Sequence, residues 1–574
     1  MKVNPNQTKY DYMLENSKNN MNGVALTFED RKITYEEMFE SIDKYAKLLY
    51  KKGIRKGDLI GICALNTPES VYLLYALNKI GAVVVGYSPF DNKERVKSDV
   101  ELTKPKMVIT TDLFYGNFKN LEKALDFSSV LYSPLESSKN WKLKIGYNLM
   151  QIKNGNFTLV KDKRLMHLLK TNYEGLVLPN TPYIDEELSD IMFTGGSTGV
   201  HKGVDLTDVG LNTVVAGMTE LFPERPGFVH LGNIPFGHMA YGRSILHYAL
   251  CNGMEFALTL KAMPSDFYDE LVRTRSEGAV GGPPHWVSLI EQQGDQYVPS
   301  SKIKKGSLSQ LRYATSGGEA KKEATVEAIN NALKYGGSDA KLGDGLGATE
   351  TWACMIINNA RLSQRDTLGF PISDLDIRLI DPATGLEVAD GEKGILYVSG
   401  PSVMKGYHSN LEETNKVLLY DENGKKWLNT GDFIQKTEKG DYIYVGRQKR
   451  NFVSGCDNIY PEELEDLLSN IPEIREAVVT PISDDMVQYI PRYHISLYAK
   501  DTDRVSLEEK IETLVLTKLN ENWLPGSIAY YDEPLKRMTN SKIDISHYRE
   551  LDKKAVENGE INHEKAKELR LKLI

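Results

Sequence analysis

Hydrophobic and polar residues alternate at helical spacing along residues 34–53. Thr34 and Glu37 stand three residues apart, the spacing at which a helix start can satisfy its own backbone amides as a capping box. The apolar positions then recur every three or four residues, at Met38, Ile42, Tyr45, Ala46 and Leu49. Gly53 follows as a stop signal, so the pattern predicts an amphipathic helix between Thr34 and Gly53.

The segments that follow predict an alternation of strands and helices. Residues 59–65 form a short apolar run typical of a buried strand. A helical pattern comes next, opened by Pro68 and closed by Gly81, and the β-branched run 83–85 predicts another strand. This order indicates an α/β fold, in which helices cover a parallel sheet.

Later stretches differ in character. Residues 112–185 carry weaker periodicity and many Lys, Asn and Ser residues, so we expect peripheral strands and loops there and assign them no chemistry. Near residue 446 a polar run follows a strand-like segment, and a smaller, charge-rich part continues to the end. We therefore expect a large N-terminal domain, 1–445, and a modest C-terminal domain, 446–574, whose last residues resemble a polar helix.

The composition changes this picture little. With 574 residues, 41% of them hydrophobic, the chain is long enough for two or more cores. The net charge of -9 mixes both signs and gives no reason to expect a nucleic acid or an anionic membrane as partner.

The cysteines and the N-terminus bear on the compartment. The four cysteines, none of them in a C-x-x-C pair, are Cys63, Cys251, Cys354 and Cys456. This usage favours core thiols in a reducing compartment and argues against a structural zinc. The N-terminus lacks the apolar core of a signal peptide, and no apolar run is long enough to span a bilayer, so we expect a cytoplasmic protein.

A glycine- and hydroxyl-rich loop follows a strand-like segment at residues 191–203, IMFTGGSTGVHKG. Glycines allow backbone amides to approach a polyanion, hydroxyls add donors, and Lys202 adds a positive charge. The alternative is an ordinary surface turn. The loop is not that of a P-loop NTPase, because Gly195 and Gly199 have the wrong spacing and Gly203 follows the lysine where a hydroxyl is required.

Four further stretches, taken together with this loop, indicate a nucleotide site. Residues 317–320 form a glycine turn after a strand, and residues 344–350, DGLGATE, end in a hydroxyl and a carboxylate suited to Mg²⁺. Asp432 lies at a turn where it could accept ribose hydroxyls, and Lys542 lies on a polar loop near the C-terminus. Each alone is explained by turns, caps or solvation, but a nucleotide site needs all of them together.

In their order along the chain, these motifs resemble the adenylate-forming superfamily of acyl-CoA synthetases, peptide-synthetase adenylation domains and beetle luciferases. The resemblance covers about residues 25–550. It rests on FTGGSTGVHKG (193–203), LGATE (346–350), GILYVSG (394–400), GY (406–407), TGD (430–432), GR (446–447), SGCDNIYPEELE (454–465) and Lys542.

The resemblance implies a two-step reaction and a mobile C-terminal domain of α+β type. A carboxylate attacks the α-phosphate of ATP, giving an acyl-adenylate and pyrophosphate, and a thiol, usually that of coenzyme A, then displaces AMP. Mg²⁺ is the implied metal, and a carboxylic acid, ATP and coenzyme A or a carrier protein are the implied partners. Both steps develop negative charge on oxygen, which fixed cations and amides stabilise.

Matching positions imply roles for individual residues. Catalysis is implied for Lys542, Thr198, Lys202 and Glu350, with Glu350 and Thr198 at the metal. The implied ATP and AMP ligands are Thr194, Gly195, Gly196, Ser197, Gly199, Gly318, Glu319, Ala320, Asp344, Gly345, Leu346, Thr349, Asp432 and Arg447. The implied acid pocket contains His238, Tyr241, Gly317 and Trp352. Lys449 stands at the implied hinge.

Several positions depart from the family pattern. Leu346 replaces the tyrosine that commonly stacks on adenine, as in aryl-CoA ligases such as benzoate-CoA ligase, and so points toward an aromatic or compact acid. His201 replaces a proline, and Ser541 and Met538 replace a glycine and a threonine near the lysine. Arg450 replaces an aspartate beside the hinge. None of these changes removes a ligand of phosphate, metal or ribose.

Two other functions stay open beside an acyl- or aryl-CoA ligase. The same adenylate could load the pantetheine of a carrier protein. A non-catalytic nucleotide-binding relative is the alternative from a different class, motivated by Ser541. Amino-acid activation is disfavoured, because Gly237 and His238 stand where an aspartate would pair the substrate ammonium.

Overall fold

The computed structural model describes residues 2–153, 163–171, 175–179, 182–184, 186–194, 201–293, 296–317, 323–359, 367–454, 457–484, 488–519, 521–538 and 542–558. Its helices are α1 (Lys9–Ser17), α2 (Tyr35–Lys51), α3 (Pro68–Lys79), α4 (Lys93–Thr103), α5 (Leu121–Leu125), α6 (Trp141–Lys153), α7 (Leu165–Leu168), α8 (Asp208–Leu221), α9 (Ala240–Cys251), α10 (Phe267–Thr274), α11 (Pro283–Val287), α12 (Glu323–Tyr335), α13 (Leu411–Val417), α14 (Pro461–Ser469), α15 (Arg504–Lys518) and α16 (Ile545–Glu557).

Its strands are β1 (Val24–Phe28), β2 (Arg31–Thr34), β3 (Leu59–Cys63), β4 (Val83–Gly86), β5 (Met107–Thr111), β6 (Ser128–Tyr132), β7 (Leu188–Phe193), β8 (Gly203–Thr207), β9 (Val229–Gly232), β10 (Glu255–Leu258), β11 (Gly278–Gly281), β12 (Ile290–Gln293), β13 (Gln296–Pro299), β14 (Tyr313–Ser316), β15 (Leu342–Gly343), β16 (Gly345–Leu346), β17 (Ile356–Ile357), β18 (Phe370–Pro371), β19 (Asp376–Ile380), β20 (Lys393–Ser399), β21 (Gly406–Tyr407), β22 (Leu418–Tyr420), β23 (Lys426–Lys436), β24 (Tyr442–Arg447), β25 (Phe452–Ser454), β26 (Asp457–Ile459), β27 (Ile474–Asp484), β28 (Gln488–Leu497) and β29 (Ser527–Tyr531).

Two seven-stranded sheets form the centre of the large N-terminal part. One has the order β15-β14-β11-β9-β10-β1-β2 and is parallel except for β1 with β2. The other has the order β21-β8-β7-β4-β3-β5-β6, with its parallel strands running from β7 to β6. Together they confirm the expected α/β class with parallel layers.

A sheet of β19, β20, β22, β23 and β24 follows, and β25 to β29 form another with helices α14, α15 and α16. This last group has its own apolar core, which extends from Phe452 to Leu524. It confirms a smaller α+β part at the C-terminal end. The boundary at 445/446 stays a prediction; strand β24 continues to Arg447.

The first predicted helix forms as its sequence indicates. In α2, the Thr34 hydroxyl accepts from the Glu37 amide at 3.2 Å, and the Glu37 carboxylate accepts from the Thr34 amide at 2.9 Å. Pro68 opens α3, and β4 begins at Val83. The expectation of strands and loops alone within 112–185 was wrong, because α6 lies there; its apolar residues point to both faces and so give no one-sided pattern.

The N-terminal helix α1 places a buried charge against the strand that leads to the glycine-rich loop. Lys9 forms ion pairs with Asp190 on β7 and, at 3.1 Å, with Asp208 on α8. Arg243 on α9 pairs with the other oxygen of Asp190 at 2.6 Å. Although burial raises it, these two cations hold the pKa of Asp190 below its ordinary value. The cluster fixes β7 where the loop begins.

Cys63, Cys251 and Cys354 are buried free thiols, as expected, and Cys456 lies outside the described residues. Burial raises the pKa of Cys63 to about 12, so this thiol is a core group. Across the described part of the chain, we find no helix that combines the length and the apolar character needed to cross a bilayer.

Candidate active site

Asp432 and Arg447 face each other across β23 and β24, where they are register partners. Arg447 Nε lies 2.7 Å from Asp432 Oδ1. Burial of the Asp432 carboxyl raises its pKa to about 6, with Arg447 opposing the rise and Glu350 and Glu462 adding to it. The sheet thus presents a fixed carboxylate beside a cation; the ribose role of this pair stays a prediction.

Glu350 lies in a short 3₁₀ turn, Thr349–Thr351, and is held at both its backbone and its side chain. Its carbonyl accepts from the Met404 amide at 2.8 Å, and its Oε1 accepts from the Tyr407 hydroxyl at 2.9 Å. Burial and the Glu350 charge raise the pKa of Tyr407 well above its ordinary value, so the phenol remains a donor. The carboxylate of Glu350 is therefore oriented before any ligand binds.

Lys202 lies over the ring of the same tyrosine. Its Nζ lies 4.5 Å from the centre of the Tyr407 ring and forms an ion pair with Glu413 on α13. Hydrogen bonds from Lys202 and Lys416 lower the pKa of Glu413 to about 2. The Lys202 carbonyl accepts from the Thr194 amide at 3.0 Å, which closes the base of the loop.

The loop itself, and one further motif, fall outside the described residues. These are the predicted ligands Gly195, Gly196, Ser197, Thr198 and Gly199 of the loop, and Gly318, Glu319 and Ala320 of the glycine turn. Their assignments stay predictions.

The glycine-rich turn at 344–350 is closed by backbone contacts. The Asp344 side chain accepts from the Gly345 amide at 2.8 Å, and half-buried Leu346 pairs with Ile356 in β17. A Cβ on Gly347 would come within 1.9 Å of the Ala353 carbonyl oxygen, so only glycine fits there. This tight approach fixes the direction in which the chain enters the turn at Thr349.

Two of the four predicted acid-pocket residues are neighbours. A Cβ on Gly317 would lie 3.8 Å from the Tyr241 hydroxyl and 3.5 Å from the Gly345 carbonyl oxygen. These distances place Gly317 beside both Tyr241 and the glycine-rich turn at 344–350. Any side chain larger than glycine at 317 would project toward Tyr241.

His238 and Trp352 have different environments. Burial lowers the pKa of His238 to about 4, and its ring meets Phe90 edge to face at 6.3 Å. Arg243 fixes the preceding turn by donating to the Phe236 carbonyl at 2.8 Å. Trp352 is fully buried, and its indole donates to the Thr207 carbonyl at 3.0 Å. Trp352 thus lies in the core, and its role in an acid pocket stays a prediction.

The segment after β24 joins the two parts of the chain. Lys449 is exposed, and its carbonyl accepts from Arg549 at 3.4 Å. Arg450 pairs with Glu465 and, at 3.2 Å, with Glu462, both on α14. Arg450 therefore belongs to the C-terminal part, immediately after the expected hinge.

Lys542 forms a backbone hydrogen bond with Met538 in the C-terminal part. Its carbonyl accepts from the Met538 amide at 2.7 Å, and Arg537 and Ile543 form an isolated bridge. Ser541, whose effect on this lysine was open, lies outside the described residues.

The structure thus brings together Lys202, Glu350, Asp432 and Arg447, and it adds Tyr407 and Glu413 to them. Tyr407 stands in one of the quoted motifs, but its bond to Glu350 spans 57 residues. Glu413 gives no sequence signal of its own. The carboxylate oxygens of Glu350 are hard ligands of the kind Mg²⁺ prefers, and lysine and arginine nearby suit phosphate, so the residues present fit Mg²⁺ and ATP.

Comparisons with known proteins identify the family of this chain. The family model described as AMP-binding enzyme matches residues 14–408. The long-chain-fatty-acid–CoA ligase of Bacillus subtilis is 26% identical over 489 residues, covering 84% of this chain and 84% of the relative.

Two solved structures share the fold. The benzoate CoA ligase from Burkholderia xenovorans has a TM-score of 0.75 at 19% identity, with 95% of this chain and 100% of that chain covered. The O-succinylbenzoate coenzyme A synthetase from Bacillus subtilis, solved with ATP and a magnesium ion, has a TM-score of 0.73 at 20% identity, covering 95% and 99%. The family model matches well over half of this chain, and the chain therefore belongs to the AMP-binding enzyme family.

Proposed function

We propose that this protein is an acid–thiol ligase that activates a carboxylic acid with ATP and passes the acyl group to coenzyme A. In the first step a carboxylate oxygen bonds to the α-phosphorus and pyrophosphate leaves. In the second, the sulfur of coenzyme A bonds to the acyl carbon, AMP leaves and the thiol proton passes to solvent. The observation that carries this proposal is the convergence of Lys202, Tyr407 and Glu350 beside the Asp432–Arg447 pair.

In this proposal the Asp432 carboxylate accepts hydrogen bonds from the ribose hydroxyls. The charge of Arg447 keeps this carboxylate ionised at neutral pH. The pair is formed across a sheet, so binding requires little reorganisation. Thr349, at the start of the turn that holds Glu350, donates toward the α-phosphate.

Lys202 must exchange partners when ATP binds. Its ammonium is held by Glu413, and a triphosphate offers more negative charge than one carboxylate. Glu413 thus keeps the lysine oriented in the free protein and competes with the phosphates for it. When bound, Mg²⁺ neutralises phosphate charge, and Glu350 is the residue that would hold it.

Lys542 would bridge the acid carboxylate and the α-phosphate in the first step. We propose rotation of the C-terminal part about Lys449 between the steps. Arg450 supports this placement of the hinge, because its ion pairs with Glu462 and Glu465 make it move with α14.

We favour an aromatic or compact acid. Gly317 adds no side chain beside Tyr241, and Leu346 offers an aliphatic surface to adenine, as in the aryl-CoA ligases that the motifs resemble. The names of the similar proteins include a fatty acid, benzoate and O-succinylbenzoate, so they do not choose among acids for this chain.

The test is ATP–pyrophosphate exchange across benzoates, cinnamates, short and medium fatty acids and amino acids. We expect exchange with at least one aromatic or compact acid, followed by thioester formation with free coenzyme A. Exchange without thioester would support transfer to a carrier-protein pantetheine instead. Absence of exchange combined with tight AMP binding would support a non-catalytic nucleotide-binding protein.

A further inference from the structure

Helix α6 turns most of its apolar side chains away from the protein. On its buried side, the hydroxyl of Tyr147 donates to Asp112, and Gln151 is also buried there. The outer face carries four large apolar side chains with high exposed fractions: Trp141 64%, Ile145 49%, Leu149 61% and Ile152 56%. A surface helix ordinarily places polar residues there, so this arrangement is inverted.

The four residues form a continuous stripe. At about 100° per residue, positions 141, 145, 149 and 152 fall within an arc of about 80° on the helix. The helix is well defined where the stripe begins, because the Asn140 side chain caps it by accepting from the amides of Lys142 at 3.1 Å and Leu143 at 3.2 Å. The stripe is therefore a preformed surface.

The positive charge beside the stripe indicates which kind of surface binds to it. Exposed Lys142 and Lys153 flank it, and α6 has three lysines and no acidic residue in a chain whose net charge is -9. Two copies joined through this face by twofold symmetry would bring these lysines together at the same contact, which is unfavourable. An anionic lipid surface attracts the lysines and accepts the indole and aliphatic groups below its headgroups.

We infer that α6 docks the protein on a bilayer that contains anionic phospholipid, lying in the interface with its apolar stripe at the acyl boundary. This inference goes beyond the proposed ligase activity and does not depend on it, since docking needs neither ATP nor an acid. The net charge of the whole chain is negative and therefore does not predict this local group of lysines, which makes docking favourable.

The test is sedimentation of the full chain with vesicles, without nucleotide. We expect binding to vesicles of equal parts phosphatidylglycerol and phosphatidylcholine, little binding to pure phosphatidylcholine, and weakening as salt rises. The double variant Ile145→Ser with Leu149→Ser should bind roughly tenfold more weakly or worse. The matched control, Leu386→Ser with Val505→Ser, alters exposed apolar residues elsewhere and should bind as the unaltered protein does.

Tryptophan fluorescence gives a second readout. Trp286, Trp352, Trp427 and Trp523 are buried, so a blue shift on adding anionic vesicles reports Trp141. Equal vesicle binding by the unaltered protein and the Ile145→Ser, Leu149→Ser variant would overturn the inference, as would absence of binding. A dimer that dissociates in that variant would also overturn it, by identifying the stripe as a subunit interface.

Discussion

The hydroxyl of Tyr407 donates to Glu350 at 2.9 Å, and this bond connects the strand β21 with the glycine-rich turn. Because Lys202 lies against the same ring, one side chain orients both a predicted metal ligand and a predicted phosphate ligand. The site is therefore a connected network, and its parts can be tested separately.

Replacing Tyr407 by Phe removes the bond to Glu350 and keeps the ring beneath Lys202. We expect kcat/KM for pyrophosphate exchange to fall about tenfold, since a hydrogen bond to a charged group is lost, and the Mg²⁺ concentration needed for half-maximal rate to rise. Tyr397→Phe, which removes a hydroxyl bonded to Asn429 at 3.0 Å, is the matched control. Equal rates for both variants would show that the Glu350 carboxylate needs no such support.

Replacing Glu413 by Gln frees Lys202 from its competing partner. We expect ATP to bind roughly twofold to fivefold more tightly, as measured by calorimetry with a non-hydrolysable analogue. Glu412→Gln is the control, because Glu412 lies one residue away and pairs with Lys416. Weaker binding in Glu413→Gln would mean that the carboxylate positions the lysine more than it competes for it.

Nucleotide affinity should depend on the ionisation of Asp432, whose pKa is raised to about 6. The carboxylate form, which accepts hydrogen bonds from ribose hydroxyls, dominates above that pH, so the affinity for adenosine, which itself does not titrate in this range, should fall as pH decreases from 7.5 to 5, with the decline beginning near 6. Titration by calorimetry across this range checks the prediction. In Asp432→Asn the affinity should be lower and this step absent; an unchanged step would assign it to another group.

Replacing Lys542 by Ala should abolish adenylate formation and leave thioester formation from a preformed acyl-adenylate largely intact. In the proposed rotation about Lys449, the lysine lies beside the α-phosphate only during the first step, where it stabilises the developing charge. Pyrophosphate exchange measures the first half and release of AMP from added adenylate measures the second. Comparable losses in both halves would refute the assignment of this lysine.

Replacing Lys449 by Pro fixes φ at the expected hinge. We expect the first half-reaction to persist and the second to slow, measured by the same two assays. Lys449→Ala removes the side chain without restricting φ and should preserve both halves. If proline slowed only the first half-reaction, the hinge would have to lie elsewhere.

Sequence signals within one helical turn correctly predicted where helices begin. The capping box at Thr34 and the proline at position 68 located two helices, because both act within one turn. Asp432 and Arg447, which the family resemblance assigns to the same ribose, pair across one hairpin.

Contacts between distant segments could not be predicted in this way. Glu413 meets Lys202 across 211 residues, and its helix carries only ordinary surface charges. Helix α6 was missed for a different reason, since a helix with apolar residues on both its inner and outer faces lacks the periodicity that identifies most surface helices.

The ion pairs of Lys9 have a practical consequence. The match to the family model begins at residue 14, five residues after Lys9. Yet Lys9 neutralises the carboxylate of Asp190 on β7, the strand that leads to the glycine-rich loop. A protein shortened to the family boundary would retain Asp190 and Asp208 in the interior with one counterion fewer. Shortening the chain at this boundary would therefore remove a cation that supports β7, the strand that leads to the predicted phosphate loop.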